Sequence, residues 1–219
     1  MTGGIEIPKP YVVAARADGT DLVASVTLFG LAADWAGSVA DALVRGLRQG
    51  INEADADRAR YRSLEVIDRT IAVGTGPEPF TPDSGTILLV TLETPLSIRS
   101  GDTIRSPDFG DLVSSLTSRV QGLARWHDAA LTADWPDLIR QGRTLPRHDI
   151  ARTAPLLWQR GSTRQDRAFR VGGGRGQWLV DTPSPDLMAL LLLGQTTGAG
   201  GRTTLGLGRF RIDLVSEPT

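Results

Sequence analysis

The chain has 219 residues, a formal net charge of −1 and 40% hydrophobic residues, enough apolar material for one large core or two small ones. The absence of cysteine excludes disulfides, a thiol nucleophile and a zinc site built on thiolates, and two well-separated histidines, His127 and His148, argue against a histidine-built metal site. The longest apolar run, Leu187 to Leu193, falls far short of the ~18 residues of a membrane span, and the N-terminal MTGGIEIPKPY lacks the charged and apolar regions of a secretory signal. These features predict a cytoplasmic protein without membrane association, metal or cofactor.

Along the chain, LVASVTLFG (22–30) is β-rich, ends at glycine and reads as a strand. In DWAGSVADALVRGLRQ (34–49), Trp35, Val39 and Leu43 recur at helical spacing, with Ala36, Ala40, Val44 and Leu47 completing the apolar face. Asp34 is placed to cap this helix and Gly50 to end it. YRSLEVIDRTIAV (61–73) reads as one or two strands, and GTGPEPFTPDSG (74–85) is a breaker cluster and a natural boundary.

The pattern then restarts. TILLVTL (86–92) predicts a strand, and residues 111–126 an amphipathic helix with Leu112, Leu116, Val120, Leu123 and Ala124 inward. A short helix is expected over 134–141, strands over 156–159 and 177–180, an apolar helix over 185–193 and a last strand over 207–215. Two units, 1–80 and 81–219, each begin strand–helix–strand. This suits an α+β fold of two tandem ferredoxin-like, RRM-like (βαββαβ) domains, the first short of a clear second helix and the second carrying a C-terminal glycine-rich loop.

Charge is uneven. Residues 139–175 hold nine arginines against Asp149 and Asp166, a local +7 that leaves −8 elsewhere; Lys9 is the sole lysine. Such a block suggests an anionic partner, and arginine suits bidentate phosphate contacts and stacking on bases. Near the C-terminus, the stretch from Gly194 to Gly208 has six glycines, four threonines and Arg202. A phosphate-binding P-loop needs a lysine and a preceding strand, and a dinucleotide fingerprint needs a strand before and a helix after; the order here is helix, loop, strand. What remains is a loop whose backbone N–H groups, with Arg202, Thr203 and Thr204, meet a nucleic-acid backbone, or glycines that only permit tight packing.

The pattern G-x-G-x-R-T-T-x-G-x-G-R at 198–209 resembles the C-terminal glycine-rich loop of the RAMP superfamily, the RNA-binding proteins of CRISPR–Cas systems. LVASVTLFGLAADW (22–35), ILLVTLETPLSI (87–98), LTSRVQGLARWH (116–127) and LLWQRGSTRQDRAFRVGGGRGQWLV (156–180) resemble, in order, segments of the pre-crRNA endoribonuclease branch, so the likeness runs from about residue 9 to 215. The resemblance implies binding of CRISPR repeat RNA, often a stem-loop, and metal-independent cutting at its 3′ base by the ribose 2′-hydroxyl, giving a 2′,3′-cyclic phosphate. It also implies retention of the crRNA within an effector complex alongside other protein subunits; the alternative is a non-catalytic RAMP subunit that only binds crRNA. RNA contacts are expected from Arg160, Ser162, Arg164 and Gln165, and from Gly198, Gly200, Gly201, Arg202, Thr203, Thr204, Gly206, Gly208 and Arg209.

The resemblance places a histidine near the first helix, where residues 30 to 62 have none. It places a histidine and a lysine in the loop at positions that match Gly198 and Gly201. The candidates for proton transfer or charge stabilisation are therefore His127, His148, and Tyr61 with Arg58, Arg60 and Arg62. Each also has an ordinary structural reading: a helix C-terminal histidine, a solvated histidine in the basic connection between elements, and a charged strand edge.

Overall fold

The computed structural model describes residues 7–19, 21–49, 87–100, 103–128, 131–145, 147–162 and 167–215, with side chains of 21–22, 47–49, 99–100, 158–162 and 167–170 outside the description. The strands expected over 61–73, the boundary at 74–85, and Tyr61, Arg164 and Gln165 lie outside the described residues.

Strand β1 (Tyr11–Asp18) and strand β2 (Asp21–Leu28) form an antiparallel hairpin in which Tyr11 faces Leu28 and Asp18 faces Asp21. Only β2 is legible from its composition. The turn takes Gly19 at φ +60, a left-handed conformation that glycine adopts without steric cost. A 3-10 turn, Gly30–Trp35, then leads into α1 (Ala36–Gln49). Asp34 lies inside that turn and is not the cap of the helix, and Trp35 is 70% exposed instead of joining an apolar face. Val39, Ala40 and Val44 are half-buried.

The second half runs β3 (Ile87–Leu92), a short hairpin β4 (Ile98–Ser100) and β5 (Thr103–Arg105), α2 (Phe109–Ala124) with a 3-10 turn Arg125–His127, and α3 (Trp135–Thr144). There follow β6 (Arg147–Arg152), β7 (Leu156–Ser162), β8 (Arg167–Gly173), β9 (Gly176–Asp181), α4 (Pro185–Thr197), a 3-10 turn Thr203–Leu205 and β10 (Phe210–Val215). One four-stranded antiparallel sheet has the order β10-β3-β9-β6. Its fourth strand in the chain pairs with the first, the first with the third, and the third with the second, which is the split arrangement of a βαββαβ unit. Period-two burial follows: Leu88, Val90 and Leu92 of β3 face the helices with Trp178 and Val180 of β9, while their neighbours are half-buried on the other face.

The expected α2 core positions, Leu112, Leu116, Val120, Leu123 and Ala124, are all buried. The helix starts at a capping box: Asp108 accepts from the Asp111 N–H at 2.8 Å, and Asp111 accepts from the Asp108 N–H at 2.9 Å. In α3, Asp134 accepts from the Asp137 N–H at 3.0 Å, with a proline in the first turn.

The N-terminal half docks along the C-terminal half of α2. Gly122 lets the Pro8 ring lie directly on the helix, since a Cβ there would overlap Pro8 Cδ. Trp126 Nε1 donates to the Pro8 carbonyl at 2.9 Å. Gly30, at φ +57, packs its Cα against the Trp126 carbonyl, where no side chain fits. Arg119, 6% exposed, donates from Nε to the Thr197 carbonyl at 2.6 Å and reaches the Tyr11 carbonyl at 3.5 Å. Burial pushes this guanidinium down to about 10, so it remains a cation at neutral pH.

This seam makes opposite predictions for two glycines. Gly122→Ala forces a methyl into the rigid Pro8 ring and is expected to cost ~1–3 kcal/mol by urea denaturation, the usual range for overpacking. A Cβ on Gly201 meets open space, so Gly201→Ala is expected to stay within ~0.5 kcal/mol of the parent.

Candidate nucleic-acid interface

The glycine-rich loop begins where α4 stops. Ser184 caps that helix, accepting from the Leu187 N–H at 3.2 Å, and Pro185 fills its first position. The last turn closes with the Gly198 N–H donating to the Gly194 carbonyl at 2.8 Å, and Gly198 takes φ +69. Gly200, Gly206 and Gly208 also have positive φ, as does Arg202 at +66, a non-glycine residue in the left-handed region.

The loop is tightly bonded. Ala199 N–H donates to the Gly208 carbonyl at 2.8 Å, closing the loop across its neck, and a Cβ on Gly208 would collide with the Ala199 carbonyl. Gly208 N–H donates to the Pro95 carbonyl at 3.0 Å, and Arg209 N–H to Thr94 Oγ1 at 2.9 Å. In return the Arg209 carbonyl accepts from the Glu93 and Thr94 N–H groups. Ser97 and Gly201 form an isolated antiparallel bridge. The expected cradle of successive backbone N–H groups is therefore narrowed: those of Gly198, Ala199, Leu205, Gly206, Gly208 and Arg209 donate within the protein. Gly201 is exposed, while Arg202 and Thr204 are half-buried and Thr203 is buried.

The arginine-rich hairpin meets the same segment. β7 and β8 pair antiparallel, with Arg160 opposite Phe169 and Ser162 opposite Arg167. This two-stranded ribbon stands apart from the four-stranded sheet. At its base Leu96 and Gly174 exchange backbone hydrogen bonds of 2.8 and 3.2 Å, and a Cβ on Gly173 would collide with Leu96 backbone. Residues 93–97 thus join the glycine loop on one side and the root of the hairpin on the other. These residues fall in the stretch ILLVTLETPLSI (87–98) that carries the resemblance, but nothing in the sequence indicated this joining role.

The histidines do not join that junction. His148 lies on β6, an exposed edge strand, opposite Leu179 of β9, and not in an irregular connection. Three strand spacings, about 14 Å, separate β6 from β10. His127 is exposed in the 3-10 turn after α2, and its backbone lies beside Gly30 at the approach to the first helix. Eight residues, roughly 12 Å of helix, separate it from Arg119 at the glycine-loop end. Among the described residues no group of three histidine or acidic side chains is placed to hold a metal ion, and no described helix is long and apolar enough to cross a membrane.

Arg119 and the cleft beside it escaped sequence reasoning. The cleft, about 140 Å3, separates the β1–β2 hairpin from the end of α4 and the glycine loop. Its walls come from segments too distant in the chain for periodicity to relate.

Residues 90–210 match the family of the CRISPR-associated endoribonuclease Cas6. No curated protein sequence matches the chain. Among solved structures, the chain is similar to the Thermus thermophilus Cas6 TTHB231 in a product complex, at 16% identity over 95% of this chain and 84% of that one, with a TM-score of 0.57. It is similarly related to the Cas6 TTHA0078 in a product complex, at 19% identity over the same shares and a TM-score of 0.58. A partial Cas6-RT-Cas1–Cas2 complex matches at 13% identity over 95% of this chain and 39% of that one, with a TM-score of 0.50. At these identities the likeness is one of fold.

The neck of the loop is directly testable. Gly208→Ala combines a left-handed backbone with a collision at the Ala199 carbonyl. It is expected to destabilise the protein by at least the ~1–3 kcal/mol of the backbone strain alone. Amide hydrogen exchange at residues 199, 208 and 209 should quicken; unchanged exchange there would show that the neck does not hold the loop.

Proposed function

The chain belongs to the Cas6 family of CRISPR-associated endoribonucleases, and we propose that it binds the 3′ stem-loop of CRISPR repeat RNA and cuts pre-crRNA there without a metal ion. The observation that carries this reading is the junction at residues 93–97, inside the family match, which joins the glycine-rich loop to the root of an arginine-rich hairpin. Arg160 and Ser162 of β7, with Arg164 and Gln165 next in the chain, contact phosphates and base edges. In the loop, Gly201 and the half-buried Gly200, Arg202, Thr204, Gly206 and Arg209 offer the surface over which the RNA backbone passes, while the buried Gly198, Thr203 and Gly208 hold its shape. Domains 1–80 and 81–219 are both ferredoxin-like in this reading, and the βαββαβ sheet of the second supports it.

For the chemistry we assign proton transfer to His127. Residues 30–62 contain no histidine, and His127 lies beside the approach to the first helix. It accepts the proton of the ribose 2′-hydroxyl as that oxygen attacks the adjacent phosphorus. The P–O5′ bond breaks, the 5′ oxygen takes up a proton from water while the His127 imidazolium later returns its own to solvent, and the products end in a 2′,3′-cyclic phosphate and a 5′-hydroxyl. Arginines stabilise the charge on the phosphorane, Tyr61 with Arg58, Arg60 and Arg62 being a further set for that role. The cut crRNA stays bound and carries the protein into an effector complex with other subunits. His148, at the far edge of the sheet, is a surface histidine in this scheme.

A repeat-RNA transcript incubated with the protein in EDTA is expected to give a product whose 3′ end resists phosphatase until acid opens the cyclic phosphate. His127→Ala is expected to slow cleavage ~10²–10⁴-fold with affinity retained, the usual contribution of a general acid or base, whereas His148→Ala leaves it unchanged. Tight binding without any cleavage at excess protein would instead identify a non-catalytic crRNA-binding subunit.

The RNA surface has its own test. Arg164→Ala and Arg202→Ala should each weaken binding and lower the slope of log K against log salt by about 0.7–0.9, one phosphate contact apiece. Unchanged affinity and slope in both variants would place the RNA elsewhere.

A further inference from the structure

We propose that the cleft between the β1–β2 hairpin and the glycine-rich loop seats a single unpaired pyrimidine base; this rests on the RNA-binding reading above and names what one part of that surface reads. The first observation is size. A cavity of about 140 Å3 compares with the ~150 Å3 that accommodates benzene in an apolar protein cavity. That volume matches one six-membered ring more closely than the fused rings of a purine.

The second observation is the character of the two walls. In the hairpin register Val12 faces Thr27 and Ala14 faces Ser25, so these four side chains share one face, and all four line the cleft. Half of that wall is apolar and half carries hydroxyls. Across from it Leu207 supplies a second apolar contact, so a flat ring meets aliphatic groups on both sides. An edge with ring nitrogen and carbonyl groups meets donors and acceptors that can pair with it.

The third observation concerns Thr203 and Gln195. Thr203 is 3% exposed, and its methyl packs towards Gly198, where a Cβ would be 3.2 Å from Thr203 Cγ2. Thr203 lines the cleft, and among the described residues its hydroxyl makes no side-chain hydrogen bond, so it is open to a ligand there. Gln195 is oriented by its Oε1, which accepts the Ile212 N–H at 3.0 Å. Its amide N–H groups therefore remain as donors for a ring carbonyl. Arg209 stands at the rim, 3.5 Å from Glu93 with both side chains 39% exposed, a weak pair that a phosphate next to the seated base can displace.

The experiment compares binding of octauridylate and octaadenylate by fluorescence anisotropy, with repeat stem-loop RNA measured in parallel. Octauridylate is expected to bind the wild-type protein about tenfold tighter than octaadenylate, within the range for one seated base. Thr203→Val keeps the shape and removes the hydroxyl; Gln195→Leu removes the amide. Each should bring the ratio towards one, and Thr203→Ser should restore it, with thermal melting verifying that each variant folds. Equal affinity for the two octamers, binding of neither, or a ratio unchanged in both variants overturns the seat. Repeat stem-loop RNA that is still bound and cut in those cases leaves the proposed function standing, and its failure to bind overturns that reading separately.

Discussion

Five residues between β3 and β4, Glu93 to Ser97, fix the geometry of everything proposed to touch RNA. Their backbone groups and one hydroxyl bind Arg209, Gly208 and Gly201 on one side and Gly174 on the other. Backbone hydrogen bonds allow little freedom in distance or direction, so a loop and a hairpin held by the same few peptide units keep a fixed relation. β3 is a central strand of the sheet with Leu88 and Val90 fully buried, so this segment emerges from the most rigid part of the core. A surface that must match the spacing of RNA phosphates benefits from such an anchor, because ordering costs are met on folding and not on binding.

The second constraint is the seam on α2. Arg119 and Gly122 in the C-terminal half of the helix, with Trp126 in the 3-10 turn that follows it, meet Tyr11, Pro8 and Gly30. Arg119 matters most, because its Nε bond to Thr197 is made to the last residue of α4, directly before the glycine loop. The cation satisfies a carbonyl that the helix end leaves without an intrahelical donor and also favours the negative pole of the helix. No carboxylate among the described residues pairs with it. One guanidinium thus reaches both the start of the first hairpin and the start of the loop, which sets the width of the cleft between them.

The sequence revealed elements wherever local chemistry decided them. The apolar runs at 111–126 and 185–193 marked α2 and α4, which begin at the caps Asp108 and Ser184. β6 was not legible because RHDIAR has no apolar alternation; it is exposed throughout and exists as a strand through its pairing with β9. β1 was missed for a related reason, since its last four residues are exposed and the Asp18–Gly19 turn was the only local sign of a hairpin. The glycine loop's position, between a helix and a last strand, was read correctly. Its partners were not, because Thr94 is 115 residues from Arg209 and no periodicity reports a contact at that separation. The reading of the loop as a nest of N–H donors failed in part for the same reason, as those donors found acceptors far away in the chain.

The two loop positions without proton-transfer groups differ in physical origin. Gly198 is buried at φ +69 with the Thr203 methyl against it, so a side chain there strains the backbone and crowds Thr203, the residue whose hydroxyl faces the cleft. Gly201 has no positive φ and only open space around its Cα, so the fold accepts a side chain at that point. Packing therefore explains the glycine at 198 and not the one at 201. With glycine at both positions, the proposed proton-transfer group comes from outside the loop. Of the two histidines, His127 is the one beside the first helix's approach, while His148 is turned out along the opposite edge of the sheet. In the proposed scheme the loop holds the RNA backbone, and the docked seam on α2 sets how closely His127 approaches it.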